Sequence, residues 1–317
     1  MTIKVFAPAS IGNVSVGFDV LGMAVQPING ELLGDIVAIE GCDGGDNQLQ
    51  MVGPFVDKLP ADPKQNIVFS CIELFQQHLK QQSQEFDWVK LTLEKRMPVG
   101  SGLGSSACSI VAALVALNEY YQKPFNDAQL LAMMGQMEAQ ISGSLHYDNV
   151  APCFLGGLQL MVNDADIISR EIPSFQQCYF VMAYSGINVS TKAAREVLPE
   201  QYSKATAIEF GQNLATFIDA CYRQDLSQAM NHLRDVIAEP YRASLLPGFE
   251  ACRQGVAELG ALASGISGSG PTMFVVTEDK EKAAQIQTFL QENYLQSSEG
   301  FVYICQTDVH GAKVLVG

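Results

Sequence analysis

Apolar and polar residues alternate through Val89-Lys90-Leu91-Thr92-Leu93-Glu94. That two-residue period predicts a half-buried strand. From Ser105 to Tyr120 the chain is rich in Ala, Leu, Ile and Val and has no proline, which predicts a mostly buried helix. The same reading predicts strands at Ile3 to Pro8, Asp35 to Glu40, Leu158 to Val162, Cys178 to Tyr184, Thr272 to Val276, Phe301 to Cys305 and Lys313 to Val316. It predicts helices at Asn66 to Lys80, Asn126 to Ile141, Thr191 to Leu198, Ala205 to Tyr222, Leu226 to Ile237, Phe249 to Leu259 and Lys280 to Tyr294. Loops fall at 9–19, 41–47, 142–149 and 265–271. The pattern breaks between Asn163 and Pro173, which places a domain boundary there, with domains at 1–165 and 166–317. The second half reads as a sheet covered by helices, an α+β sandwich.

The turn between the strand at 89–94 and the helix at 105–120 reads Met97-Pro98-Val99-Gly100-Ser101-Gly102-Leu103-Gly104-Ser105-Ser106. Glycine permits positive φ and a close ligand approach. A helix start offers unpaired N–H groups and a partial positive charge. Together they suit a nucleotide phosphate. The rival reading is a purely structural turn. Gly104 is followed by two serines without a lysine, so this is no Walker A loop. Gly104 comes two residues after Gly102, so it is no dinucleotide fingerprint either.

Composition narrows the classes. The chain has 317 residues, 48% hydrophobic and 17% charged, which suits a globular protein with a sizeable core. Net charge is −15 and no basic tract exists, which argues against nucleic acid or an anionic membrane as partner. The eight cysteines form no CxxC pair and read as reduced, mostly buried thiols, which with the absence of a signal-like N-terminus predicts a cytoplasmic protein. No apolar run is long enough to span a membrane.

Three segments, Pro8 to Asp19, Pro98 to Ser106 and Gly265 to Thr272, resemble in order and spacing the three motifs of the GHMP kinases. The forms N-V-S-V-G-F-D-V-L-G from Asn13, H-Y-D-N-V-A-P from His146, S-T-K-A-A-R-E-V-L-P from Ser190 and A-E-P-Y-R-A-S-L-L-P-G from Ala238 resemble the homoserine kinase branch of that family. The resemblance runs from about Val5 to Val316. It implies the two-domain GHMP fold of α+β class, with a ribosomal-protein-like N-terminal α/β domain and a ferredoxin-like C-terminal α+β sandwich. It implies ATP, Mg²⁺ and L-homoserine as ligands, phosphorylation of the homoserine side-chain hydroxyl in threonine biosynthesis, and a homodimer. A mevalonate kinase-like enzyme and a non-catalytic GHMP-fold regulator are the alternatives.

The same resemblance implies roles for individual residues. Nucleotide contacts run along Pro98, Val99, Gly100, Ser101, Gly102, Leu103, Gly104, Ser105 and Ser106. Ser106 and Glu138 hold the metal, with Ser105 and Glu119 as rivals; one carboxylate and one hydroxyl suffice beside phosphate oxygens and water. Arg195 and Arg242 take the substrate carboxylate, a task that suits a planar guanidinium. Asn13 and Asn149 address the attacking hydroxyl, His146 meets a polar end of homoserine, Asp148 is a further substrate contact, and Thr191 is a ligand contact, a helix cap or both. Asp19 is either an ammonium anchor or a general base. No lysine in the loops near Asp19 or the glycine motif makes an evident Asp–Lys pair, which favours a mechanism without a base. The segment 265–271 is expected to pack backbone against the site and support the phosphate loop.

Overall fold

The computed structural model describes residues 2–164 and 167–315, so the expected boundary at 165/166 lies outside the described residues. The strands are β1 (Ile3–Gly12), β2 (Leu21–Pro27), β3 (Gly34–Gly41), β4 (Gln48–Val52), β5 (Val89–Glu94), β6 (Leu158–Met161), β7 (Ser169–Ile172), β8 (Tyr179–Tyr184), β9 (Ala263–Ile266), β10 (Met273–Thr277), β11 (Phe301–Thr307) and β12 (Lys313–Leu315). The helices are α1 (Ile67–Gln81), α2 (Ser105–Tyr120), α3 (Asp127–Ser142), α4 (Val150–Leu155), α5 (Thr191–Glu196), α6 (Lys204–Arg223), α7 (Leu226–His232), α8 (Glu239–Arg242), α9 (Phe249–Glu258) and α10 (Lys280–Asn293).

Neighbouring strands run β4-β5-β3-β1-β2-β11-β8-β10-β9. β1 joins the two parts of the fold. Its first half pairs with β3 from Ile3 to Pro8, and its second half with β2 from Ala9 to Gly12. The stretch from Ala9 to Gly12, expected as loop, is therefore strand. Its residues are wholly buried, and alternation is silent where both faces of a strand are covered.

β5 and α2 have the bounds that the pattern predicts. Every residue of α2 from Ala107 to Asn118 is buried. α2 lies against β1 and β3 and is flanked by α1 and α3. Asn126 caps α3 with a reciprocal capping box to Gln129. α10 and α9 cover the other part of the sheet, over a second core built on Phe249, Phe289, Leu290 and Tyr294.

Several elements carry no periodic signal. β2 is buried on both faces, β4, β7 and β9 are short, and the α4 turn follows a polar loop directly. The helix expected to reach Ile237 stops at His232, because Asp235 takes the amides of Ile237, Ala238 and Glu239 and opens a new turn. All eight cysteines are free thiols, seven of them buried. Among the described residues no helix is long and apolar enough to cross a membrane.

Candidate active site

The glycine motif leaves β5 and turns into α2. Gly100, Gly102 and Gly104 have φ of 68°, 78° and 68°. A Cβ on Gly102 would stand 2.5 Å from the Ser267 carbonyl oxygen, and one on Gly104 would overlap the Ser10 hydroxyl. Only glycine meets both the torsion and the space. Gly104 is the N-cap of α2 and no side chain caps the helix, so its first turn is left for a ligand.

The 265–271 segment braces this loop from the other half of the chain. Ser267 Oγ donates to the Gly102 carbonyl at 2.7 Å, and Thr272 Oγ1 donates to that of Ser101 at 2.6 Å. The Gly268 amide donates to the Gly12 carbonyl at 3.1 Å. The segment therefore holds the glycine loop in place, as its expected packing against the site requires.

A second brace was not legible as a motif. Lys95 Nζ donates to Asp35 Oδ2 at 2.5 Å, to the Ser105 carbonyl at 2.8 Å and to Ser109 Oγ at 3.0 Å. Asp35 also accepts from Ser109 Oγ and from the amides of Arg96 and Met97. One buried ion pair thus ties down both ends of the glycine loop. Lys95 is therefore a lysine beside the motif, but all three of its N–H groups are used, and Asp35 is wholly buried. The signal was present in the strand period: Lys95 keeps phase with Val89, Leu91 and Leu93, and Asp35 with Val37 and Ile39.

The first motif makes a tight turn. Asn13, Val14, Ser15 and Asp19 all have left-handed φ, at 65°, 46°, 54° and 59°. For the β-branched Val14 this is an outlier, and such strain gathers at ligand sites. The Asp19 amide donates to Asn13 Oδ1 at 2.8 Å, and Asn13 Nδ2 donates to the Gly268 carbonyl at 3.2 Å. Asp19 meets Arg195 through two parallel bonds of 2.9 and 3.2 Å. The guanidinium carbons of Arg195 and Arg242 stand 5.9 and 5.3 Å from the centre of the Phe18 ring. Arg242 is buried and donates to the carbonyls of Ala194 and Gly268 at 3.0 Å each. Burial lowers its pKa from the ordinary arginine range.

Ser106 Oγ donates to Glu138 Oε1 at 2.9 Å. Ser105 instead turns its hydroxyl back toward the Met97 carbonyl, so Ser106 is the serine that stands with Glu138. Burial pushes the Glu138 carboxyl up, against the opposing pull of His146 and Ser106. His146 Nδ1 lies 2.9 Å from Asp148 Oδ1. Burial lowers the imidazole pKa, but the hydrogen bond and charge of Asp148 outweigh it and leave it raised. Asn149 Nδ2 donates to Asp148 Oδ2, and its Oδ1 accepts from Ser10 Oγ at 2.9 Å, beside Gly104. Glu119 pairs with Lys123 on the exposed end of α2, away from this group.

These residues line one cleft of about 610 Å³. It brings together Asn13, Asp19, Ser106, Glu138, His146, Asp148, Asn149, Arg195 and Arg242 with the loop residues Val99 to Gly102, Gly104 and Ser105. Pro98 and Leu103 do not line it. Leu103 points into the core, and its carbonyl accepts from the Ser10 amide. The side chain of Thr191 lies outside the described residues; the cap of α5 is Ser190, whose hydroxyl accepts from the Ala193 amide. Leu59, Pro60, Ile67 and Ile141 add an apolar wall that no sequence motif marked. Four buried polar atoms of cleft residues have no partner: Ser101 Oγ, Glu138 Oε2, His146 Nε2 and Arg195 Nε. Those of Ser101, Glu138 and His146 mark places for ligand in the cleft.

Residues 66–157 match the model of the GHMP kinases N terminal domain, and residues 217–296 that of the GHMP kinases C terminal. A homoserine kinase from Cytophaga hutchinsonii is similar over 99% of this chain and 97% of its own, at 32% identity and a TM-score of 0.88. The chain belongs to the GHMP kinase family. It is a kinase of the two-domain GHMP fold, and members of the family are ATP-dependent and generally use Mg²⁺. The mevalonate kinase of L. major, in complex with R-mevalonate, shares the fold at 18% identity and a TM-score of 0.69, over 96% of both chains. The phosphomevalonate kinase of Streptococcus pneumoniae shares it at 11% identity and a TM-score of 0.73, over 97% of this chain and 99% of its own.

Proposed function

We propose that this GHMP kinase transfers the γ-phosphoryl group of ATP to the side-chain hydroxyl of L-homoserine, giving O-phospho-L-homoserine for threonine biosynthesis. The observation that carries the substrate is the group of Asp19, Arg195 and Arg242 around Phe18, on the same cleft as the glycine loop. One carboxylate and two guanidiniums suit a zwitterion with an ammonium and a carboxylate on one carbon. The homoserine kinase from Cytophaga hutchinsonii, similar over nearly the whole chain, supports the same reading.

In this reading the first turn of α2, the loop amides and Ser101 Oγ hold the β and γ phosphates. The apolar wall of Leu59, Ile67 and Ile141 takes the flat face of the base. Ser106 and Glu138 would hold Mg²⁺; the Ser106 hydroxyl sits on Glu138 Oε1, and the buried Oε2 of the same carboxylate has no partner, which fits that task. The bound metal neutralises charge that builds on the phosphates during transfer. Asn13 and Asn149 orient the attacking hydroxyl. His146, held by Asp148, fixes the polar end of the substrate.

No general base is assigned. Asp19 is engaged by Arg195, and Asp35 is sealed under Lys95. Phosphoryl transfer through a loose transition state depends chiefly on positioning and charge. The hydroxyl proton passes to the γ-phosphate.

The test is coupled ADP release with ATP and Mg²⁺, comparing L-homoserine, mevalonate and no acceptor. Turnover with homoserine alone supports the reading. Turnover with mevalonate instead overturns the substrate, and silence with every acceptor alongside nucleotide binding favours a regulator. An Asp19→Asn variant that binds homoserine normally but turns over about 10⁴-fold more slowly would make Asp19 a base.

A further inference from the structure

The charges that the cleft offers to a zwitterion already hold each other. Asp19 faces Arg195 end-on, with one carboxylate oxygen on Nη2 at 2.9 Å and the other on Nη1 at 3.2 Å. Arg195 Nε is buried and has no partner, so a carboxylate in the cleft reaches the guanidinium at its Nη end. That end is the one Asp19 occupies. Arg242 does not relieve this. Its Nε and Nη1 are held by the carbonyls of Ala194 and Gly268, which leaves Nη2 alone for a ligand.

A carboxylate that takes both Nη groups of Arg195 displaces Asp19. A freed carboxylate beside a partly buried cleft is costly unless it finds a new cation. An α-ammonium supplies that cation on the same ligand. A zwitterion thus exchanges one internal ion pair for two, and every charge stays paired. A ligand with only a carboxylate strands Asp19, and one with only an ammonium strands Arg195.

We infer that the Asp19–Arg195 pair is a lock that opens to α-amino acid zwitterions and rejects singly charged alcohols by leaving one of its own members unpaired. This rests on the proposed placement of the substrate at these two residues. It differs from simple contact in one respect. If Asp19 did no more than touch the ammonium, removing its charge would give a ligand without ammonium only the relief of like-charge repulsion, which added salt screens. With the lock, neutralising Asp19 frees Arg195, and such a ligand binds more tightly.

The experiment is calorimetric binding to the whole protein and to the Asp19→Asn and Arg195→Met variants. The ligands are L-homoserine, 4-hydroxybutyrate (no ammonium) and 2-amino-1,4-butanediol (no carboxylate). Asparagine tolerates the left-handed φ of 59° at position 19, so the turn survives. The pair is only partly exposed, so opening it is worth about fivefold or more in affinity. 4-Hydroxybutyrate should gain that factor in Asp19→Asn over the parent, and the aminodiol should gain it in Arg195→Met. Homoserine should weaken in both. Should one variant not fold, judged by its melting curve, the other carries the test alone. Unchanged or weaker binding of the singly charged ligand to the folded variant overturns the lock. Affinity gains without homoserine turnover keep the lock and overturn the substrate; turnover without the gains does the reverse.

Discussion

Removing one member of the Lys95–Asp35 pair should cost far more than removing both. Lys95 is 2% exposed and Asp35 0%, so neither charge reaches water. Lys95→Met keeps the apolar stem and deletes the ammonium. Asp35 then keeps Ser109 and the amides of Arg96 and Met97 but has no counter-charge. Asp35→Asn leaves a buried ammonium among neutral acceptors, the Ser105 carbonyl and Ser109 hydroxyl among them, with no counter-charge. Each single change should cost about 3–5 kcal/mol, the usual penalty for an uncompensated buried charge. The double variant buries no charge, so its loss should fall short of the sum by about 2 kcal/mol or more. Urea unfolding followed by circular dichroism measures all three. Additivity within about 0.5 kcal/mol would refute the claim that the pair acts as one unit. The functional readout is the KM for ATP. It should rise in both single variants, because the pair anchors the residues on either side of the glycine loop, where the proposal places the phosphates.

Three further outcomes follow from the same geometry. Glu138→Gln should lower kcat by about 10² or more, and Mg²⁺ should raise the unfolding free energy of the parent but not of the variant. Gly104→Ala should weaken ATP about 10- to 100-fold with little change in homoserine affinity, since a Cβ there strains a left-handed residue and overlaps Ser10 at the helix start; equal losses for both ligands would refute a local effect. Burial pushes the thiols of Cys71 and Cys305 well above the ordinary range of about 8.5. Their folded pKa is raised, so the stability they contribute is full below that range and is lost as pH rises above it. Unfolding free energy should therefore fall between pH 8 and 10, with each thiol adding up to about 1.4 kcal/mol per pH unit. Cys305→Val should make the fall less steep.

The chain order of residues determined the local elements whose signal is local. β5 and α2 are legible because one has a clean two-residue period and the other an unbroken run of small and branched apolar residues. The glycine loop between them was legible as a left-handed turn into an uncapped helix start, the geometry proposed to hold phosphate, because torsion and helix start are properties of neighbouring residues. Position in the chain also placed Ser106, Arg195 and Arg242 within recognisable motifs, whereas Glu138 lies outside them and was reached by resemblance alone.

Tertiary structure decided what those residues face. Asp19 and Arg195 are far apart in sequence, and nothing in either segment says that they hold each other. Lys95 and Asp35 lie on buried strand faces by their period, but only the pairing of β3 with β5 and the packing of α2 over them turns two buried charges into a brace. The choice between Ser105 and Ser106 rested on which hydroxyl looks toward α3, and that direction is set by how the two helices pack. The brace from Ser267 and Thr272 to the glycine loop joins residues from opposite halves of the chain. Short-range preferences act through torsions and helix or strand periods, so they can be read along the chain. Ion pairs and orphaned polar atoms depend on distances across the fold, which sequence spacing does not encode.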